Sequence, residues 1–188
     1  IWVYNRKYCV MRIISGKNRG KKIIIPKNLP VRPTTDQSKE SIFNIINNSY
    51  YFEDLKVLDL FSGSGNISYE FASRGVKKIR CVDQNSNCVR FINKTSKELN
   101  FNLKVTKSSA VKYLLSCLEQ FDIIFFDPPY EFKIEEYFKI IDLIFKRNLL
   151  INEGLIIAEH SKKLNLNEHE KYTKSKDYGG CSFSFFSY

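Results

Sequence analysis

Phe125-Phe126-Asp127-Pro128-Pro129-Tyr130 follows directly on Phe121-Asp122-Ile123-Ile124, and the reading of this stretch decides how the rest of the chain is understood. An apolar and aromatic run ending in Asp-Pro-Pro predicts a buried strand that stops abruptly, because proline has no backbone N–H and biases the preceding residue away from helix. Asp127 is therefore expected at the carboxyl end of a strand, where an open α/β sheet carries its ligand chemistry. The tetrapeptide offers a carboxylate, the Pro128 carbonyl freed from sheet pairing, and the flat ring of Tyr130. A base bearing an exocyclic amine fits that set. Its two amine hydrogens can go to Asp127 and the Pro128 carbonyl, with Tyr130 stacked on the ring at roughly 1–3 kcal/mol. The same residues alone also describe a strand entering a proline-rich turn, so the neighbouring elements must decide.

Upstream, Leu55-Lys56-Val57-Leu58-Asp59-Leu60 reads as the first core strand and runs into Phe61-Ser62-Gly63-Ser64-Gly65-Asn66. A strand, Gly-x-Gly and then a helix with Ile67 and Phe71 at i,i+4 is a nucleotide-type βα turn whose glycines permit close backbone approach. The third glycine of a dinucleotide fingerprint is absent, with Ser68 in its place. Lys78–Val82 is the second strand and ends in Asp83, eighteen residues after Gly65, where an acid commonly binds a ribose diol. Asp83 can equally serve as a cap for a helix over about 86–99. Leu103–Lys107 is a third strand, followed by an amphipathic helix with Val111, Leu114, Leu115 and Leu118 on a core stripe. Ile134, Tyr137, Phe138, Ile141, Ile144 and Phe145 mark a further core-facing helix. Leu155–Glu159 is a fifth strand announced by Gly154, and residues 171–177 with 181–186 form a terminal hairpin about Tyr178-Gly179-Gly180.

Right-handed crossovers in a doubly wound sheet bring the first and fourth strands side by side. The Asp59–Gly65 turn and the Asp127–Tyr130 tip are then expected to flank one crevice.

The 188 residues suit one domain with a small appendage, and 43% hydrophobic content is enough for a core. No apolar run is long enough to span a membrane. The five cysteines (Cys9, Cys81, Cys88, Cys117, Cys181) lack CxxC spacing and the only histidines are His160 and His169, which argues for buried thiols and against a metal centre. The net charge of +10 is concentrated at one end: nine basic residues and no acid precede Asp36. The remainder is nearly neutral, so the chain reads as a balanced body with a basic arm. Met11 is the only methionine, and residues 1–10 are expected to be an upstream extension. Residues 12–25 predict a basic β-hairpin suited to phosphate contacts through Arg12, Lys17, Arg19, Lys21 and Lys22, with Arg32 beyond it. Residues 11–33 form this hairpin and a linker punctuated by Pro26, Pro30 and Pro33, and residues 34–188 form the main domain. Thr34-Thr35-Asp36 supplies capping residues for a helix carrying Ile42, Ile45 and Ile46.

The order Val57 to Gly65, Asp83, and Asp127 to Tyr130 resembles the amino-methylating class I S-adenosylmethionine-dependent methyltransferases. Met11-Arg-Ile-Ile-Ser-Gly16, Arg32-Pro-Thr-Thr-Asp36 with Phe43-Asn44, and Tyr178-Gly179 resemble the RsmD family in particular. The resemblance covers all but the first ten residues. It implies an α/β fold, a doubly wound Rossmann-like seven-stranded sheet whose last strand is antiparallel. It also implies methyl transfer from S-adenosylmethionine to the 2-amino group of a guanine in small-subunit ribosomal RNA, free or in an assembling subunit, by a cytoplasmic monomer. Carried over residue by residue, Asp59, Phe61, Gly63 and Gly65 hold the methionine part of the cofactor and Asp83 its ribose. Ser109 and Ala110 border the adenine, Thr34 and Thr35 close over the cofactor, and Asp127, Pro128, Pro129 and Tyr130 receive the base. Two positions depart from the family. Gln37 replaces the usual arginine after Asp36, and Ser109 stands where many relatives place an acid or amide. Among other readings, a DNA amino-methyltransferase would need a target-recognition segment for which little room remains. A nicotinamide dehydrogenase has no use for Asp-Pro-Pro-Tyr, and an RNA-binding assembly factor would lack a working cofactor pocket.

Overall fold

The computed structural model describes residues 9–26, 29, 31 and 34–188. Residues 1–8 of the expected 1–10 extension, the linker prolines Pro30 and Pro33, and Arg32 lie outside the described residues. Seven strands form one sheet: β3 (Lys56–Leu60), β4 (Lys78–Asp83), β5 (Leu103–Lys107), β6 (Phe121–Phe126), β7 (Leu150–Ser161), β8 (Tyr172–Tyr178) and β9 (Cys181–Phe186). Their spatial order is β5-β4-β3-β6-β7-β9-β8, with β9 antiparallel to both neighbours. The winding reverses between β3 and β6, as the first and fourth core strands were expected to do. A second, two-stranded sheet pairs β1 (Cys9–Arg12) with β2 (Lys22–Ile25).

Strand alternation divides the core into two layers. On one face, Val57, Ile79, Phe125, Ile157 and Phe183 pack under α1 (Asp36–Asn47), α2 (Asn66–Ser73) and α3 (Ser86–Glu98). On the other, Leu58, Val82, Ile124, Phe126 and Ile156 pack under α4 (Ala110–Ser116) and α5 (Ile134–Lys146). The capping reading of Thr35 holds: its side chain accepts the Ser38 N–H at 3.1 Å.

Several boundaries differ from the sequence reading. The stripe on α4 is not wholly core, since Leu114 is buried but Leu115 and Leu118 are 57% and 89% exposed. The helix ends at Ser116, and of that stripe Leu114 is buried and Val111 packs half-buried against the same core. Strand β7 starts at Leu150, and Gly154 lies inside it rather than before it. A Cβ at Gly154 would meet Leu150 at 2.8 Å and the Asp122 carbonyl at 3.0 Å, beside the register shift between Phe121 and Ile123. A glycine within a strand marks such an irregularity.

The hairpin is not a free arm. Its first strand already includes Cys9 and Val10, and Met11, Ile13, Ile23 and Ile25 are buried in the same layer as Phe43 and Phe71. Ile14 N–H donates to Glu70 at 2.6 Å instead of crossing the ladder, and Lys17 N–H donates to the Ser73 carbonyl at 2.8 Å. Gly16, at φ 78°, lies so close to α2 that a Cβ would fall 1.9 Å from the Ser73 carbonyl oxygen. Buried Lys39 from α1 completes the junction. Its ammonium reaches Glu70 at 3.0 Å, Asn66 at 3.1 Å and the Arg12 carbonyl oxygen.

Breaking this buried pair by removing Lys39 leaves Glu70 with only Arg74, 3.8 Å away, as a counter-charge. Lys39→Met is expected to cost about 3–5 kcal/mol in urea unfolding, and adding Glu70→Gln should restore part of that loss. A double variant less stable than Lys39→Met would contradict the pairing.

Candidate active site

The cleft grows out of strand register. Leu60 pairs with Phe126 across β3 and β6, and Phe126 pairs with Ala158 across β6 and β7. Residues at alternate positions share a face, so Asp59, Asp127 and Glu159 all project toward the α1–α2 layer from three adjacent strands. They line a single cavity of about 890 Å³, together with Phe61, Gly63, Asp83, Ser109, Ala110, Pro128 and Tyr130. Thr34 and Thr35 border it from the loop before α1.

The glycine loop is tied to β4 by its backbone. Ser62 N–H donates to the Val82 carbonyl at 3.1 Å, and Gly63 N–H donates to Asp83 at 2.8 Å. Phe61, Gly63 and Gly65 all take positive φ, at 57°, 54° and 80°. Such a conformation is unusual for phenylalanine and is held here by packing. The Phe61 ring meets Phe132 edge to face at 5.4 Å, joining the glycine loop to the segment just after Tyr130. The two loops therefore touch.

Gly65 has a different role from Gly63. It is not part of the cavity wall, and a Cβ there would collide with the Tyr69 ring at 2.7 Å. Its place in the motif is a packing requirement for starting α2. Ser68, where a third glycine was absent, donates to Asp59 at 2.5 Å.

Asp59 is buried, and desolvation, with a smaller contribution from the Asp83 charge, pushes its pKa up to about 7 against the opposing Ser68 bond. Burial likewise raises Asp83, although the Asn85 and Gly63 N–H groups favour its ionised form. Asp83 thus supports the turn into α3, whose cap is Asn85. Asp127 is raised well above the usual carboxylate range by burial, then by Glu159 and Asp59. Carboxylates crowded in this way favour a cationic or donor-rich occupant.

Glu159 had no assigned role in the sequence reading. It is only 7% exposed, accepts a hydrogen bond from Thr34 Oγ1 at 3.0 Å, and faces the cavity. Its signal was present: an acid ends the Leu155–Ala158 run much as Asp127 ends its own. Asn66, also missed, donates to the Thr34 carbonyl at 3.0 Å and accepts from Lys39. The Thr34 loop thus spans the cleft rim from Asn66 to Glu159. Ser109 caps α4, while Ser108 N–H donates to the Asp83 carbonyl at 3.1 Å.

The basic side chains of Arg12, Lys17, Arg19, Lys21 and Lys22 are exposed. Arg12 is already answered by Asp36 at 2.8 Å, and Lys17 lies 5.4 Å over the Phe101 ring. Ser64 of the glycine loop contacts Met11 sulfur at 3.6 Å, so the hairpin backs directly onto the cleft.

Residues 11–187 match the family described as Conserved hypothetical protein 95. The chain belongs to this family, the RsmD family. It is 34% identical to ribosomal RNA small subunit methyltransferase D of Buchnera aphidicola (subspecies Baizongia pistaciae) over 160 residues, covering 85% of this chain and 80% of that one. With the protein of the same name from Haemophilus influenzae it shares 31% identity over 172 residues, 89% and 87% of the two chains. The fold also matches the Thermus thermophilus 16S rRNA N2 G1207 methyltransferase RsmC, solved with AdoMet and guanosine. That match has a TM-score of 0.71 at 16% identity, over 96% of this chain and 50% of RsmC.

The donor set fits an S-adenosylmethionine cofactor. Buried carboxylates suit a cation and a ribose diol, and Gly63 leaves space where a Cβ would press on Val31 at 3.1 Å.

The raised Asp59 carries a stability signature. Between its unfolded and folded pKa values the folded chain retains a proton that the unfolded chain has released. Its contribution to stability therefore falls as pH rises from about 4 to about 7. Relative to wild type, Asp59→Asn should become more stable at about pH 8 than at about pH 5, read by urea unfolding. A difference independent of pH would refute the assignment.

Proposed function

We propose that this protein transfers a methyl group from S-adenosylmethionine to the exocyclic 2-amino group of a guanine in small-subunit ribosomal RNA. The observation that carries the reading is the placement of Asp59 and Asp127 on one sheet face, at adjacent strand tips, over one cavity. The names of the family relatives support ribosomal RNA as substrate, and RsmC offers a fold parallel for an N2-guanine target.

When bound, the cofactor supplies a methyl group already electrophilic on a sulfonium with a neutral thioether leaving group. The protein's task is then alignment, which can contribute roughly 7–11 kcal/mol. Asp59 and the Gly63 region would hold the methionine part, Asp83 the ribose hydroxyls, and Ser109 with Ala110 the edge of the adenine. Thr34 and Thr35 would cover the donor from the rim.

A guanine amine is a poor nucleophile because its lone pair is spread into the ring. Acceptance of its two hydrogens by Asp127 and the Pro128 carbonyl localises that pair and steers it. The Asp127 carboxylate also stabilises positive charge as it develops on nitrogen. Tyr130, 63% exposed, presents a ring at the mouth for stacking. A base within folded RNA must be unstacked to reach this pocket, at a cost of a few kcal/mol that phosphate contacts from the hairpin offset.

Asp127→Ala is expected to lower turnover by about a hundredfold or more, with cofactor affinity by calorimetry nearly unchanged. Equal turnover in the variant would overturn the role. Replacing Lys17, Arg19, Lys21 and Lys22 together should weaken RNA binding and reduce its logarithmic salt slope by about 0.7 per lost single-strand contact. An unaltered slope would remove the hairpin from the RNA interface.

A further inference from the structure

Glu159 is the third carboxylate of the row: it and Asp127 each follow directly on the Phe126–Ala158 pair that ends the β6–β7 register. Adjacent strands lie roughly 5 Å apart, which puts the two side chains within reach of neighbouring atoms on one base edge. Glu159 is fixed from two sides: Thr34 Oγ1 donates to its carboxylate at 3.0 Å, and the Tyr137 hydroxyl donates to its carbonyl at 3.2 Å. Its charge reaches Asp127, whose carboxyl is raised first by burial and then by Glu159. Two like charges crowded together are costly unless donors lie between them.

The amine-holding pair, Asp127 and the Pro128 carbonyl, does not by itself distinguish guanine from adenine or cytosine. All three bases carry an exocyclic amine. Their edges differ at the next atom. Guanine places a protonated ring nitrogen, N1–H, beside its amine, whereas adenine and cytosine place a lone pair there. A second carboxylate beside the amine acceptor complements the first arrangement and repels the other two.

Resting on the reading of the cleft as a guanine site, we propose that Glu159 is the specificity-determining residue, accepting the guanine N1–H next to the amine held by Asp127. The site then rejects adenine by opposing a buried negative charge to its N1 lone pair, in addition to any difference in shape.

Nucleosides separate the two donors. Guanosine has both N1–H and the 2-amino group, inosine keeps only N1–H, and 2-aminopurine riboside keeps only the amine. Their affinities for the full chain, saturated with S-adenosylhomocysteine, would be measured by titration calorimetry for wild type, Glu159→Ala and Glu159→Gln. Loss of one hydrogen bond to a charged group should weaken guanosine and inosine by about 10- to 100-fold in Glu159→Ala. 2-Aminopurine riboside should change little, and Glu159→Gln should recover part of the loss because its amide oxygen still accepts.

A uniform loss across the three nucleosides, as expected of a purely structural residue, would overturn the inference. So would unchanged guanosine binding, or a loss confined to S-adenosylhomocysteine, which would assign Glu159 to the cofactor. If wild type binds no guanosine, the guanine reading fails together with this inference. If guanosine binds and only the discrimination is absent, the inference alone fails.

Discussion

The parallel pairing of three strands in phase, β3 with β6 and β6 with β7, governs this molecule. Because side chains alternate along each strand, that phase turns one residue per strand tip toward the same layer, and in this chain each is an acid. Asp59, Asp127 and Glu159 are thereby gathered by strand register. The apolar packing beneath them, from Val57, Phe125 and Ile157, provides the driving force. Desolvation of the carboxylates is the opposing cost. Ser68 on Asp59 and Thr34 on Glu159 offset it in part, and the remainder appears as raised pKa values.

A second arrangement fastens the basic hairpin to this body. Lys39 and Glu70 are both buried, and their polar atoms are shared with the Arg12 carbonyl, the Ile14 N–H and Asn66. The hairpin, the first helix and the start of α2 are consequently one polar cluster within an apolar layer. The same Asn66 holds the Thr34 carbonyl, so the surface carrying exposed lysines and the rim of the cleft are joined by a short chain of hydrogen bonds.

How much of this was legible in the sequence depended on the range of the forces involved. Local chemistry was readable: Asp-Pro-Pro stopping β6, Thr35 capping α1, and the glycine loop leading into α2. The shared crevice followed from topology rules alone. What escaped was set by distant partners. Asp36 one turn back is a local counter-charge, but it is partly exposed; the buried one that marks Lys39 as interior, Glu70, lies thirty-one residues away on α2. Leu115 and Leu118 had helical spacing, yet α4 ends at Ser116 and both side chains stay exposed. The hairpin looked separable because its charge was conspicuous, whereas its four buried apolar residues face the body. Glu159 was visible as an acid at the end of an apolar run, but the Phe126–Ala158 pair that sets its level depends on the register shift around Gly154.

The bond from Ser68 to Asp59 also limits what else this scaffold can accommodate. In dinucleotide-binding relatives of the architecture, the amino end of the corresponding helix stays bare and its backbone amides face a pyrophosphate. Here the Asp59 carboxyl group already sits at that helix end, held by the Ser68 hydroxyl where glycine would leave an opening. A pyrophosphate would have to displace that carboxyl to reach the same donors, which disfavours dinucleotide binding at this helix end.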